Sequence, residues 1–262
     1  MDWIEALILG IIQGLTEFLP VSSSGHLELG KLILGVDIEE NLSFTIVVHG
    51  ATILSTILVF RKEILRLFKA LFRSKWDDEM KFISKLLISV FPVALVGVFF
   101  KEEVESLFSG NILLVGSMLL VTASLLSISH FAKKKNRSIG FLDSIIIGIA
   151  QALAVVPGIS RSGATIATGL ILGNNKAEIA RFSFLMVLIP IIGANLIELK
   201  DADLTSESSN LSNLIMGFFA AFISGFIACR WMIKIITKGK LTWFALYCAI
   251  IGSGSIIYYF IV

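Results

Sequence analysis

Two short polar stretches stand out in a chain that is otherwise strongly apolar. Residues 17–27 read Glu-Phe-Leu-Pro-Val-Ser-Ser-Ser-Gly-His-Leu and offer a carboxylate, three hydroxyls and an imidazole. Residues 157–165 read Pro-Gly-Ile-Ser-Arg-Ser-Gly-Ala-Thr and add a guanidinium. Polar and ionisable groups are costly at membrane depth, so their presence there favours a functional site. We expect the two stretches to meet and to form one anion-handling active site.

Both stretches are suited to bind an anion. In each, a Ser-Gly pair precedes a predicted short helix, at Ser24-Gly25 and at Ser162-Gly163. Free backbone N–H groups and the positive end of the helix dipole would face the loop, an arrangement that suits phosphate. Arg161 can bind phosphate oxygens through two N–H donors at once. A single arginine in an apolar chain is often an interfacial anchor, but its place between two serines favours the site.

The first stretch also carries groups that can break a bond. Ser23 and His26 are three residues apart, close enough to share one helical turn. A histidine beside a serine can act as its general base. Glu17, one or two turns upstream, can orient the imidazole or bind a metal ion. Taken singly, a histidine in an apolar helix is usually a core residue and a serine a helix cap, but the clustering favours catalysis.

Other polar residues lie near these stretches. His49 falls inside a predicted span and is equally compatible with the site and with the core, whereas His130 borders a basic loop and is expected at the membrane interface. Gln13 and Gln151 precede their loops by a turn or more. Each is expected to support the site or to form hydrogen bonds between helices.

The rest of the chain has the composition of an integral membrane protein. Of its 262 residues, 56% are hydrophobic and the mean hydropathy is +0.89, above the range of soluble domains. Several apolar runs reach the length of about 20 residues that crosses a bilayer. We predict one all-α polytopic membrane domain, 1–262, with two core cysteines and no cleaved signal peptide. The six predicted transmembrane helices are 42–60, 82–100, 111–130, 180–198, 211–229 and 241–262.

Two further pairs of helices are too short to span the membrane. The first pair, 3–19 and 25–34, is broken after Pro20, and the second occupies 139–156 and 163–173. We interpret each as a re-entrant pair that enters and leaves on the same side. Irregular backbone at this depth must line a cavity or be buried in protein.

An internal repeat relates the halves 1–135 and 139–262. With a shift of 138 residues and no gap, residues 8–35 match residues 146–173 at 12 positions. The polar and glycine matches are Gly10 with Gly148, Gln13 with Gln151, Ser22 with Ser160, Ser24 with Ser162, Gly25 with Gly163 and Gly35 with Gly173. Three spans separate the copies, so we expect an inverted-topology repeat, which places a site near the bilayer midplane.

Charge sets the orientation of this arrangement. Of the 22 Lys and Arg residues, 18 fall on one side, which is therefore expected to be cytoplasmic. Both termini are then expected outside the cell, and the first re-entrant pair is expected to enter the membrane from the outside. The basic linker 61–85 is interpreted as an interfacial loop, so no nucleic-acid partner is expected, and residues 198–207 are interpreted as an acidic outer loop.

The polar stretches resemble a known family. Residues 13–26, Gln-Gly-Leu-Thr-Glu-Phe-Leu-Pro-Val-Ser-Ser-Ser-Gly-His, closely resemble the first motif of the undecaprenyl-diphosphatase family of the bacitracin-resistance type, and residues 157–165 resemble the second. The resemblance implies hydrolysis of undecaprenyl diphosphate to undecaprenyl phosphate and phosphate, which recycles the lipid carrier of peptidoglycan synthesis and confers bacitracin resistance. It also implies a divalent cation, Mg²⁺ or Ca²⁺, often a homodimer, and a bacterial plasma membrane location with the site open to the outer face.

The same resemblance implies roles for individual residues. Ser23 matches the nucleophile, His26 its base partner, Glu17 an essential carboxylate and candidate metal ligand, and Arg161 the diphosphate-binding arginine. The other expected substrate-binding residues are Gln13, Ser22, Ser24, Gly25, Gln151, Ser160, Ser162, Gly163 and Thr165. Many relatives have Glu at the position of Gln13. A metal site of two carboxylates would lose one of them here, so Glu17 or the diphosphate would have to bind more of the ion.

Two alternatives stay open at this point. Water activated by His26 could attack the phosphorus directly, with no covalent intermediate on Ser23. The protein could instead be a lipid-phosphate transporter or flippase, because inverted repeats and broken helices are also transporter architecture. Transport would need the anion site but not the serine, histidine and glutamate cluster. A purely structural scaffold would explain neither polar stretch.

Overall fold

The protein is all-helical in the part of the chain that the structure covers. The computed structural model describes residues 1–36, 42–73, 75–108, 110–132, 135–201, 211–238 and 241–261. Its helices, numbered in chain order, are α1 (Trp3–Phe18), α2 (Ser23–Leu34), α3 (Leu42–Leu71), α4 (Asp78–Phe99), α5 (Lys101–Ser106), α6 (Ile112–Phe131), α7 (Phe141–Leu153), α8 (Arg161–Ile171), α9 (Lys176–Asp201), α10 (Leu211–Lys238) and α11 (Thr242–Ile261). Most of the predicted acidic outer loop, residues 202–207, lies outside these ranges.

Six of these helices are long and apolar enough to cross a membrane, namely α3, α4, α6, α9, α10 and α11. The predicted number and order of spans are therefore confirmed. The linker 61–85 is not a loop, however, because α3 continues to Leu71 and α4 already begins at Asp78. At 30 residues, α3 is longer than a bilayer requires. Its extension stays helical because Leu67 and Ala70 are buried against the core.

The first short helix pair is broken where the sequence predicts. Pro20 has no N–H to continue the ladder of α1, and α1 ends at Phe18. The side chain of Ser22 caps α2 by accepting from the Gly25 N–H at 3.3 Å. Helix α2 therefore begins at Ser23, two residues earlier than predicted. Ser22 has a φ of 71°, a left-handed conformation that costs energy in a residue other than glycine.

The second pair repeats this arrangement, with α7 shorter than predicted and α8 of the predicted length but beginning two residues earlier. Ser160 caps α8 by accepting from the Gly163 N–H at 3.0 Å. The start of α7 is fixed by Asp143, which binds the Arg137 guanidinium at 2.8 and 2.7 Å. Burial alone would raise the pKa of Asp143, but donors from Gly140, Asn174 and Arg137 hold that pKa below its usual value.

Helices from the two halves are interleaved. Helix α1 packs mainly on α10 of the other half, and α7 packs mainly on α4. Two repeat-related glycines permit this, since a Cβ at Gly10 would lie 2.6 Å from the Gly217 carbonyl oxygen and one at Gly148 would collide with the Ser89 carbonyl. The division into inverted halves and the re-entrant course of the short pairs stay predictions, which these paired contacts support.

Candidate active site

The two helix breaks lie against each other. The Gly158 N–H donates to the Ser22 hydroxyl at 3.1 Å, and the Ser162 hydroxyl donates to the Leu19 carbonyl at 3.2 Å. Thr122 of α6 joins them by donating to the Gly158 carbonyl at 3.0 Å and accepting from the Ser160 N–H at 3.1 Å. The predicted meeting of the two polar stretches is therefore observed.

Glu17 is the centre of the polar contacts at this junction. Its Oε2 accepts from Ser23 Oγ at 2.6 Å and from Gln13 Nε2 at 3.0 Å. Its Oε1 accepts from Arg161 Nη2 at 3.1 Å. The Glu17 side chain is only 7% exposed, whereas that of Arg161 is 28% exposed. A buried carboxylate needs such compensation, and here it is supplied by residues from both breaks.

Ser23 is paired with Glu17 rather than with the expected His26. The 2.6 Å separation is typical of a strong hydrogen bond from a hydroxyl to a charged oxygen. His26 instead places Nδ1 2.8 Å from the Ser22 carbonyl oxygen and Nε2 2.8 Å from the Tyr247 hydroxyl. The imidazole folds back along its own helical turn, so the predicted serine–histidine pair is not formed. Glu17 is the group positioned to accept the Ser23 proton.

The expected phosphate-binding residues divide into two groups. Ser22 and Ser160 are occupied by the two helix caps, and so are the amides of Gly25 and Gly163. Ser24 and Ser162 each lie beside the capping serine, at 3.4 and 3.3 Å. Of these six residues, Ser162 is the one that lines the cavity beside Glu17. The others build the junction, and their direct contact with substrate stays a prediction.

Thr165 and Gln151, also expected to bind substrate, do not line that cavity either. Thr165 donates to the Arg161 carbonyl at 2.9 Å and pairs with Ser183 at 2.6 Å, so it fastens α8 to α9. Gln151 is fully buried, and its amide oxygen and nitrogen have no hydrogen-bond partner among the described residues. Gln13, the repeat counterpart of Gln151, donates to the Glu17 carboxylate four residues later. The corresponding residue in the second half is Val155, whose side chain cannot accept a hydrogen bond.

A narrow cavity runs from the junction of the two helix breaks between α3 and α9. One end carries Glu17, Arg161 and Ser162. Its walls are formed by Phe18, Thr52, Ile53, Thr56, Phe184, Val187, Leu188 and Ile191. Charge at one end and apolar walls beyond it suit a molecule with an anionic head and a hydrocarbon tail.

Sequence reasoning missed three residues around the site. Thr52 and Thr56 of α3 line the cavity, and Tyr247 of α11 contacts His26. His49, Thr52 and Thr56 are spaced so that they lie on one face of a helix within a predicted span. This polar stripe in the sequence could have indicated that the face borders the site. His49 lies close enough to Glu17 for an electrostatic interaction. Nothing in the local sequence of Tyr247 indicated its contact.

The fold and this junction define a polytopic α-helical membrane protein with a buried charged cluster where two broken helix pairs meet. Comparison with known proteins narrows the class. The family model for bacitracin resistance protein BacA matches residues 6–254. The chain belongs to this family, and the resemblance drawn from its two motifs is confirmed.

Curated relatives match the chain over nearly its whole length, and each of those compared is named undecaprenyl-diphosphatase. The protein from Parabacteroides distasonis is 56% identical over 261 residues, with 98% of both chains covered. The protein from Bacteroides fragilis is 54% identical over 262 residues, again covering 98% of both. The protein from Methanobrevibacter smithii is 39% identical over 280 residues, covering 99% of this chain and 100% of its own.

Proposed function

We propose that this protein is a membrane-embedded phosphatase that hydrolyses undecaprenyl diphosphate to undecaprenyl phosphate and phosphate. The names of the relatives and the family membership support the substrate and the reaction. The observation that carries the chemistry is the chain of contacts from Ser23 Oγ through the Glu17 carboxylate to Arg161. The product is the monophosphate carrier of cell-wall precursors, so the activity recycles that lipid and counters bacitracin.

Substrate binding uses both ends of the cavity. The diphosphate enters beside Arg161, whose partly exposed guanidinium has N–H donors beyond the one given to Glu17. The prenyl tail lies along the apolar walls contributed by α3 and α9. Arginine is suited to this because its planar fork matches phosphate oxygens and its charge persists at any physiological pH.

The reaction follows from the Ser23–Glu17 hydrogen bond. Ser23 Oγ attacks the terminal phosphorus while its proton passes to Glu17, and the bridging P–O bond breaks to release undecaprenyl phosphate. Water then attacks the phosphoserine, releases phosphate and restores Ser23. Phosphoryl transfer depends mainly on positioning and on stabilising the charge on the phosphoryl oxygens. The Arg161 guanidinium provides that stabilisation. Direct attack by water remains the second route.

A divalent cation, Mg²⁺ or Ca²⁺, is part of this proposal. Among the described residues, no group of three or more His, Cys, Asp and Glu side chains could bind a metal by itself. Gln13 Oε1 is nevertheless buried and unpartnered near Glu17. These two oxygen donors fit a hard cation that takes its remaining ligands from water and the diphosphate. The ion would neutralise charge on the phosphate oxygens. Loss of phosphate release in EDTA, restored by added Mg²⁺ or Ca²⁺, is expected.

We place the protein in the bacterial plasma membrane with the site open to the outer face, supported by the distribution of basic residues. A maleimide that cannot cross membranes should label a cysteine placed at position 2 in intact cells but not one placed at position 69. A homodimer, expected from the family resemblance, is testable by native mass spectrometry.

A lipid-phosphate flippase is the second candidate, supported by the interleaved halves. Transport would not require the Ser23–Glu17 hydrogen bond. The deciding experiment is phosphate release from a prenyl diphosphate by purified protein in detergent, where no transport is needed. Rapid release favours the phosphatase. No release from folded protein supplied with a divalent cation would overturn it.

A further inference from the structure

His26 is held from outside its own helix by Tyr247. The histidine Nε2 and the tyrosine hydroxyl are 2.8 Å apart. The two rings are stacked, with centroids 5.5 Å apart and an interplanar angle of 13°. Tyr247 belongs to α11, so the contact joins the first helix break, which carries Ser23, to the last helix of the chain.

The contacts of His26 define its tautomer. Nδ1 lies 2.8 Å from the Ser22 backbone carbonyl, which can only accept a hydrogen bond. Nδ1 therefore carries the proton of the neutral ring. Nε2 is then an acceptor, and the Tyr247 hydroxyl donates to it. With both nitrogens used, the ring is not available to Ser23, in agreement with the pairing of Ser23 and Glu17.

The receiving carbonyl belongs to the strained residue at the break. Ser22 has a φ of 71°, and its carbonyl also accepts from the His26 backbone N–H at 3.1 Å. Ser23, the next residue, begins α2. A strained backbone persists only where its surroundings over-determine it. The Tyr247, His26 and Ser22 chain is such a restraint, applied directly before the proposed nucleophile.

We propose that Tyr247 is a positioning residue for the phosphatase reaction. By donating to His26 Nε2, its hydroxyl fixes the orientation and tautomer of the imidazole. The imidazole in turn holds the Ser22 carbonyl and so directs Ser23 toward Glu17. This inference rests on the proposed function, and it assigns His26 a supporting role rather than that of general base.

The test is Tyr247→Phe, which keeps the stacked ring and removes only the hydroxyl. The matched control is Tyr258→Phe, which removes the same group from the same helix at a similarly exposed position. Loss of one hydrogen bond is expected to lower kcat about tenfold. KM should change by less than about twofold, because the lost contact does not reach the substrate. Tyr258→Phe should leave both unchanged.

A second measurement follows the histidine itself. The chain has three histidines, so ¹⁵N spectra of histidine-labelled protein resolve few ring signals, and His26→Gln assigns those of His26. Wild type should show His26 protonated at Nδ1. In Tyr247→Phe, part of the population should shift to the Nε2-protonated tautomer, and Tyr258→Phe should match wild type.

The outcomes separate this inference from the proposed function. Wild-type kcat or an unchanged tautomer in Tyr247→Phe would overturn the positioning role. A raised KM with intact kcat would also overturn it, because Tyr247 would then contact substrate. If wild type itself released no phosphate, the proposed function would fail, while the tautomer spectra would still decide whether Tyr247 controls His26. A matching melting temperature for both variants excludes misfolding.

Discussion

At the first helix break Ser22 caps α2 through the Gly25 amide, and at the second Ser160 caps α8 through the Gly163 amide. The backbone arrangement is shared, but the side chains at repeat-related positions differ. The first break has Glu17, Ser23 and His26 where the second has Val155, Arg161 and Ala164.

In the proposed reaction the two breaks have different roles. The first break supplies the nucleophile and the proton acceptor, and the second supplies the positive charge. Arg161 occupies the position that corresponds to Ser23, and the two residues meet through Glu17. These contacts need residues from both breaks, which the packing of α1 on α10 and of α7 on α4 accompanies.

The largest effect is expected from Ser23→Ala, which removes the chemistry specific to the first break. Phosphate release should fall at least about 10³-fold because the attacking oxygen is lost. The control Ser84→Ala removes a hydroxyl that donates to the Met80 carbonyl within α4, away from the site, and it should change release by less than about threefold. Near-wild-type turnover by Ser23→Ala would exclude the covalent route.

Glu17→Gln tests whether the carboxylate or the imidazole is the base. We expect kcat to fall by about 10²–10⁴-fold, since Gln cannot accept the Ser23 proton. Val155→Ala, at the corresponding position of the second break, should have little effect. If Glu17→Gln retained turnover while His26→Gln abolished it, His26 would be the base. The assignment of Glu17 as the acceptor of the Ser23 proton would then be wrong.

Arg161→Lys tests the contribution of the second break. Lysine keeps the charge but loses the planar fork, so kcat/KM should fall about 10–100-fold, mainly through a higher KM. Arg137→Lys is a suitable control, because it breaks the paired contact with Asp143 away from the site. That variant should have a lower melting temperature and an unchanged KM. Equal KM values for both variants would argue against substrate binding by Arg161.

The smallest effects should distinguish the two buried glutamines. Gln13→Leu removes a donor to Glu17 and an oxygen offered to the proposed cation, and it is expected to lower kcat by about tenfold, since Glu17, water and the diphosphate can still bind the ion. Gln151→Leu removes an amide with no hydrogen-bond partner among the residues that the structure describes. Since an unpaired buried amide costs about 1–3 kcal/mol, that variant should melt at or above the wild-type temperature. A large activity loss in Gln151→Leu would show that the second glutamine also serves the site.

Much of the architecture and the location of the site were predictable from sequence. The spans were predictable because about 20 apolar residues suffice to cross a bilayer. The break after α1 was predictable because Pro20 cannot continue a helical ladder. The two polar stretches indicated the site because buried polarity at membrane depth needs a function to offset its cost.

The hydrogen-bond partners inside the site were decided only by tertiary structure. Spacing along the chain suggested that Ser23 pairs with His26, but the side-chain directions set by the turn at Ser22 pair it with Glu17 instead. Tyr247 reaches His26 only because α11 packs beside the break. Local sequence determines which helices form and, at Pro20, where the first of them ends, whereas the extension of α3 to Leu71 depends on burial against the core. Contacts between side chains depend on how helices distant in the chain pack together. The local sequence pattern around each residue does not predict that packing.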